Sequence, residues 1–239
     1  MKRNMYAAAL FVMLLTAPVF SQTDAVKEEQ PEALQTPVSI SVSISPGEFW
    51  KTKMQIFIFS TWKTPQTAVW LEDGDGGYLK TLMVTGSASN KKWKAAPKAG
   101  RPEALPVWFF TSGRAEGKDD ADVDAVTGAT PEGTVTATDD ALSLYRGREY
   151  AIKLEVNTSF DYNEFWPEKA KKGTPSYSGV NGQPSVVYEA RFVAGETATV
   201  QFRPVGQGAV DGSSGTIVPG TEGLTTALQI LASAQADIR

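Results

Sequence analysis

Several segments of this chain gather side chains that can do chemistry. Asp73-Gly74-Asp75-Gly76-Gly77 alternates carboxylates with glycine, a spacing that can collect oxygen around a hard cation such as calcium. An EF-hand loop also needs an oxygen ligand at its fifth position and Glu at its twelfth, where this chain has Gly77 and Val84. The segment therefore reads as a hairpin turn. Asp119, Asp120, Asp122 and Asp124 form a second acidic cluster, read as solvated loop charge. Asn157-Thr158-Ser159 fits the glycosylation triplet. Asp124-Ala125-Val126-Thr127-Gly128-Ala129-Thr130 joins a carboxylate and two hydroxyls to a slim Gly-Ala step. By composition alone it is a Gly-containing turn ending at Pro131.

What the chain lacks narrows the chemistry further. Its 239 residues contain no Cys and no His. Disulfides, thiolate nucleophiles, iron–sulfur clusters and Cys-ligated zinc are excluded. So are the Ser-His-Asp triad and the commonest metal ligand. Redox chemistry would have to come from an organic cofactor. A formal charge of −4 argues against a dedicated nucleic-acid binder, which carries a basic face. With 11 Phe, 7 Tyr and 6 Trp, the chain has the apolar surface to build a core.

The elements that must position these residues read mostly as strands. Lys2 and Arg3 followed by the short apolar run Tyr6 to Val19, with Val19-Phe20-Ser21 at its end, have the layout of a secretory signal peptide cleaved before Gln22. The run is shorter than the roughly 20 apolar residues of a membrane span, although an uncleaved anchor is the alternative. Export to the periplasm or the medium is expected. Residues 22–37 read as a linker, 38–205 as an antiparallel β-sandwich, 206–223 as a Gly/Ser-rich linker and 224–239 as an amphipathic helix. Val38 to Ile44 alternates apolar residues with Ser, the period of a half-buried strand. Met54 to Phe59 is more thoroughly apolar and reads as a strand buried on both faces. Ala68–Leu71 and Tyr78–Val84 flank the Gly-rich turn as a hairpin. Further strands are expected at 107–111, 133–137, 150–156, 186–193 and 197–202, with 91–106 as a long ordered loop. Ile56, Ile58, Val69, Leu82 and Leu154 are expected in the core.

Asp124 to Thr130 also resembles the target sequence of periplasmic flavin transferases, Asp-x-x-[Ser/Thr]-Gly-Ala-Thr, with Ala125 where Gly is usual. The resemblance implies that Thr130 accepts FMN from FAD as a phosphoester. Gly128 and Ala129 would give clearance in the transferase, Asp124 would seat the loop, and Thr127 is the nearest competing hydroxyl. A secondary alcohol without a local base must be activated by the transferase and its metal.

A wider set of segments occurs in order around that motif: Trp70 to Asp73, Gly77 to Leu82, Trp93, Leu105 to Trp108, Asp124 to Pro131 and Val180 to Tyr188. Over residues 50–203 they resemble the predicted periplasmic family known as domain of unknown function 2271. That resemblance implies an exported immunoglobulin-like sandwich found in flavin-related company, with no established catalytic activity. Asp139 to Glu155 resembles, over a shorter length, the immunoglobulin-like domain of flagellar hook caps.

Two functional readings follow. One is an exported electron-transfer flavoprotein with covalent FMN on Thr130, served by a flavin transferase and a membrane redox partner, and without catalysis of its own. The other is a structural or interaction module of the cell envelope. Trp70, Trp93, Trp108 and Trp166 are candidate covers for a flavin ring, against their plainer role as core. Phe160 to Pro167 is an aromatic, acidic loop that serves either as a binding edge or as packing on its own sandwich.

Overall fold

The computed structural model describes residues 34–56, 59–90, 100–117, 126–127 and 134–239, with strand side chains at 54–56, 59 and 126–127, and those of residues 89 and 90, left out. Ile58, Trp93, Asp124 and Gly128 to Thr130 lie outside the described residues, and the side chain of Ile56 is likewise undescribed.

The chain folds as an all-β sandwich. The smaller sheet orders β10 (Ala198–Gln201), β13 (Leu231–Ile238), β1 (Gln35–Pro46) and β7 (Val135–Tyr145), all antiparallel. The larger one orders β12 (Val218–Pro219), β11 (Arg203–Gln207), β9 (Val186–Val193), β8 (Glu149–Asn157), β4 (Gln66–Asp73), β5 (Tyr78–Thr85) and β6 (Val126–Thr127). Its pairs are antiparallel except β5 with β6, which run parallel. A separate hairpin of β2 (Thr52–Ile56) and β3 (Phe59–Lys63) pairs with neither sheet.

Alternation explains the inner core. Val38, Ile40, Val42 and Ile44 of β1 are buried, while the serines between them are only partly covered. They meet Val69 and Leu71 of β4, Ile152 and Leu154 of β8, and Tyr188 and Phe192 of β9 in one cluster. Val69, Leu82 and Leu154 are thus core residues, as their strand positions require.

The larger sheet is covered on its outer face as well. Ala68 and Trp70 alternate with Val69 and Leu71 and pack in a second cluster with Leu105, Val107, Trp108 and Val187. A continuous apolar run such as Ala68–Leu71 fits a strand buried on both sides. The cover comes from a short helix, α2 (Pro106–Thr111), where a strand was expected over 107–111. Pro106 at its first turn has no N–H to lose and a φ already suited to helix, so it opens a helix here. An isolated apolar run cannot distinguish these outcomes by period alone.

The C-terminal segment also differs from expectation. Residues 224–239 do not form a helix: a 3-10 turn at Thr226–Gln229 leads into strand β13. Ala234, Ala236 and Ile238 are buried with Gln235 and Asp237 between them, a period of two. Pairing with β1 on one side and β10 on the other overrides the helical spacing of Leu224, Leu228 and Leu231. Residues 206–223 are likewise no free linker. Gly206 and Gln207 complete β11, Val218–Pro219 forms β12, and Ile217 packs on the outer cluster. At the other end β1 begins at Gln35, inside the expected linker, because Gln35 to Pro37 already pairs with β7.

Candidate functional site

Only Val126 and Thr127 of the Asp124–Thr130 motif fall in the described structure. They form β6, pairing with Val84 and Thr85 at the end of β5. Among the described strands, this places the middle of the motif on the outermost one of the larger sheet, three residues before Thr130. The parallel pairing requires a crossover, supplied by residues 86–125 and including α1 (Gly86–Asn90) and α2. The strand end beneath is polar and fixed. Thr85 is buried, its Oγ1 donates to Gln66 Oε1 at 2.8 Å, and the same oxygen accepts from the Thr67 N–H at 3.3 Å.

Two of the tryptophans read as flavin covers, Trp70 and Trp108, are otherwise engaged. Trp70 is sealed in the outer layer and its indole N–H donates to Glu72 Oε1 at 2.7 Å. Trp108 is equally buried and donates to Thr81 Oγ1 at 3.0 Å. Neither ring is open to a flat ligand. Trp166 is half-buried and packs against the inner core. Asp73 closes its hairpin, its Oδ1 accepting from the N–H groups of Asp75 and Gly77 at 3.0 and 2.7 Å. Asn157, in the glycosylation triplet, is buried, and its Nδ2 donates to the Gln183 carbonyl at 3.0 Å. That nitrogen is not presented to a glycosylating enzyme.

Two polar centres carried no motif in the sequence. The first is Glu155, fully buried on the outer face of β8. Its carboxylate accepts from the N–H groups of Val107 and Trp108 at 3.2 and 2.8 Å, and from Ser185 Oγ at 2.6 Å. Burial pushes this carboxyl up to about 7, and the three donors only partly offset that rise. Beside it, Lys153 bridges Glu189 at 2.5 Å and lies 3.8 Å from Glu72, an ion ladder across β4, β8 and β9. The alternation of apolar with charged residues in Tyr150 to Val156 was the available signal, but it reads equally as an exposed face.

The second centre lies at one end of the sandwich. Asp161 accepts from Thr226 Oγ1 at 2.6 Å and Gln183 Nε2 at 2.8 Å, while Gln183 Oε1 accepts from the Thr225 N–H at 2.6 Å. Gly182 is held at φ +77°, and a Cβ there would fall 2.3 Å from the Asp161 backbone. Phe160 adopts φ +59°, the left-handed region that L residues seldom occupy, and is 43% exposed. Lys63, at the end of β3, sits with its ammonium 5.2 Å from the Phe160 ring centroid. Burial draws this amine down to about 8, with Asp161 opposing the fall and Arg101 adding to it. Burial also raises the Asp161 carboxyl above its ordinary range. Arg101 reaches Ser159 Oγ at 2.8 Å and Asn181 Oδ1 at 2.7 Å, fixing the loop from its other side. Of the Phe160–Pro167 segment, Asp161 and Trp166 pack inward while Phe160 and Phe165 stay exposed.

Among the described residues no cluster of three carboxylates is placed to hold a metal ion, and no helix is long and apolar enough to cross a membrane. Comparison with family models, curated proteins and solved structures found no match to this chain.

Proposed function

We propose that this protein is an exported, immunoglobulin-like sandwich that carries FMN covalently on Thr130 and passes electrons between a membrane redox partner and a further acceptor. The observation that carries the reading is the Asp124–Thr130 motif, with Val126 and Thr127 on the edge strand of the larger sheet. An edge strand leaves one side of its backbone without a sheet neighbour, which suits a segment that a modifying enzyme must grasp. In the transfer, Thr130 Oγ1 forms a bond to the FMN phosphorus, the FAD pyrophosphate linkage breaks, AMP leaves, and the hydroxyl proton passes to the transferase. Asp124 would seat the segment, and Gly128 and Ala129 would give clearance. The bound flavin would supply one- and two-electron transfer to a chain that has no Cys and whose redox-capable side chains are otherwise its aromatics. Because Trp70 and Trp108 are sealed in the outer layer, the ring would rest on other groups.

Co-export with a flavin transferase tests the reading. Denatured wild-type protein should retain the mass of FMN and fluoresce in a gel. Thr130→Ala should abolish both, and Thr127→Ala should weaken labelling without removing it. An unmodified wild-type chain beside an active transferase would leave the motif as a turn. The protein would then be read as an interaction module, which a β2–β3 hairpin paired with neither described sheet favours.

A further inference from the structure

Where β10 ends, the chain changes sheets. β10 pairs with Gln235–Ile238 of β13, and the Phe202 N–H then donates to the Ala234 carbonyl at 3.0 Å. Arg203 begins β11, which joins the larger sheet with Pro204 opposite Tyr188 of β9. This corner leaves a cleft of about 360 Å³ that is lined from both sheets. Ala232, Ser233 and Ala234 contribute only short side chains to its wall, which leaves the space unfilled.

The side chains of this lining are apolar except for two hydroxyls. Ser233 is exposed and has water to bond to. Tyr188 is only 8% exposed, and among the described residues its hydroxyl has no hydrogen-bond partner. A buried phenol ordinarily finds one. The oxygen is not among the fully sealed polar atoms, so it opens onto the cleft that the residue lines. Burial pushes the phenol up to about 12, which keeps it a proton donor. Tyr188 and Phe202 also lack an aromatic neighbour among the described residues, unlike Tyr150 and Phe192, whose rings stack with centroids 5.8 Å apart.

We propose that this cleft binds a neutral, flat ring compound whose carbonyl oxygen accepts from the Tyr188 hydroxyl. The unmet donor calls for an acceptor, and a carbonyl supplies one without charge. None of the lining side chains is charged, so an ionic ligand would lose its water with no counter-charge to replace it. The rings of Tyr188 and Phe202, unpaired with other aromatics, suit contact with a flat apolar body. At about 360 Å³ the cleft lies at the small end of ligand sites, the size for a compound of about two fused rings. Flavin attachment plays no part in this site, so the two readings stand or fall separately.

Titration of the full chain with three naphthalenes, followed by calorimetry and amide chemical shifts, tests the site. 2-Acetylnaphthalene carries the carbonyl, 2-ethylnaphthalene lacks it, and 2-naphthoate adds a charge. Wild type should bind the acetyl compound about fivefold more tightly than either of the others. The shifts should centre on Tyr188, Phe202 and residues 231–234. Tyr188→Phe removes only the oxygen, and should erase the preference for acetyl over ethyl while ethyl binding stays at the wild-type level. Because that hydroxyl has no partner in the described fold, the variant should melt no lower than wild type. Ala232 is exposed, so Ala232→Leu should keep the melting temperature, yet fill the cleft and weaken binding of the acetyl compound about tenfold or more. Absence of saturable binding would overturn the proposal. So would equal affinity for the acetyl and ethyl compounds, tighter binding of naphthoate, or a preference that survives in Tyr188→Phe. Shifts gathered elsewhere, or full affinity in a folded Ala232→Leu, would overturn it as well.

Discussion

The backbone N–H of Trp108, in the short helix over the larger sheet, donates to the Glu155 carboxylate of β8 across 2.8 Å. Ser185 donates to the other oxygen at 2.6 Å. A single buried side chain therefore ties three separate stretches of chain together, and its protonation state is coupled to folding.

That coupling has a definite sign. The Glu155 carboxyl titrates near 4.5 when unfolded and near 7 in the fold. Between those values the unfolded chain gives up a proton that the folded chain retains, so stability falls as pH rises through the window and levels off above it. The contribution is as much as about 3 kcal/mol at 1.4 kcal/mol per pH unit. Glu155→Gln should be less stable than wild type near pH 5, because an amide N–H would face a backbone donor, at a cost of about 1–3 kcal/mol. The gap should narrow near pH 7.5. Urea midpoints of both proteins at the two pH values measure it, and a constant gap would mean Glu155 is not the coupled group.

Truncation of the inner core should be costly. Leu154→Ala, Val69→Ala and Leu82→Ala remove side chains that are at most 3% exposed. Leu154→Ala and Leu82→Ala should lose about 2–5 kcal/mol each, and Val69→Ala should fall toward the lower end. Denaturant midpoints measure the losses directly.

Gly182 should tolerate no side chain. At φ +77°, with the Asp161 backbone 2.3 Å from where a methyl would stand, Gly182→Ala adds backbone strain to a steric clash. The expected loss is about 3 kcal/mol or more, with early amide exchange at residues 160–161 and 181–183. Retained protection at those amides would show that the loop accommodates the methyl.

Lys63 should be carbamylated ahead of the exposed lysines of the described residues near pH 8. Its ammonium is drawn down to about 8 by burial, so near that pH half of it is the neutral nucleophile. Cyanate is small enough to reach a half-buried group, and peptide mass mapping should show Lys63 modified ahead of the exposed Lys171 and Lys172. Asp161→Asn removes a charge that holds the proton on and should speed the reaction. Equal rates across these three lysines would contradict the assignment.

Strands with a clean period were legible in the sequence. The Ser-spaced run of β1, the Gly-rich β4–β5 hairpin and the interval Val186–Val193 fold where the pattern puts them. What escaped depends on neighbours distant in sequence. Pro106–Thr111 is too short and too apolar to betray its period, and only the outer face of β4 makes a covering helix of it. Leu231–Ile238 carries helical and strand periods at once, and the gap between β10 and β1 decides between them. Met54 to Phe59 has the composition of a central strand, yet its pairing makes a hairpin outside both sheets. The polar centres at Glu155 and Asp161 were hidden for the same reason. Ser185, Gln183 and Thr226 acquire their meaning from partners 22 to 65 residues away.

The place of β13 also sets an order of events in the making of the protein. Its two neighbours in the smaller sheet, β1 and β10, come from widely separated parts of the chain, and it must slide between them. Until residues 231–238 have left the ribosome, β1 lacks one flank and the inner core stays open on that side. Contacts so distant in sequence form slowly. A nascent chain would therefore keep its inner core open until residues 231–238 have been made and paired.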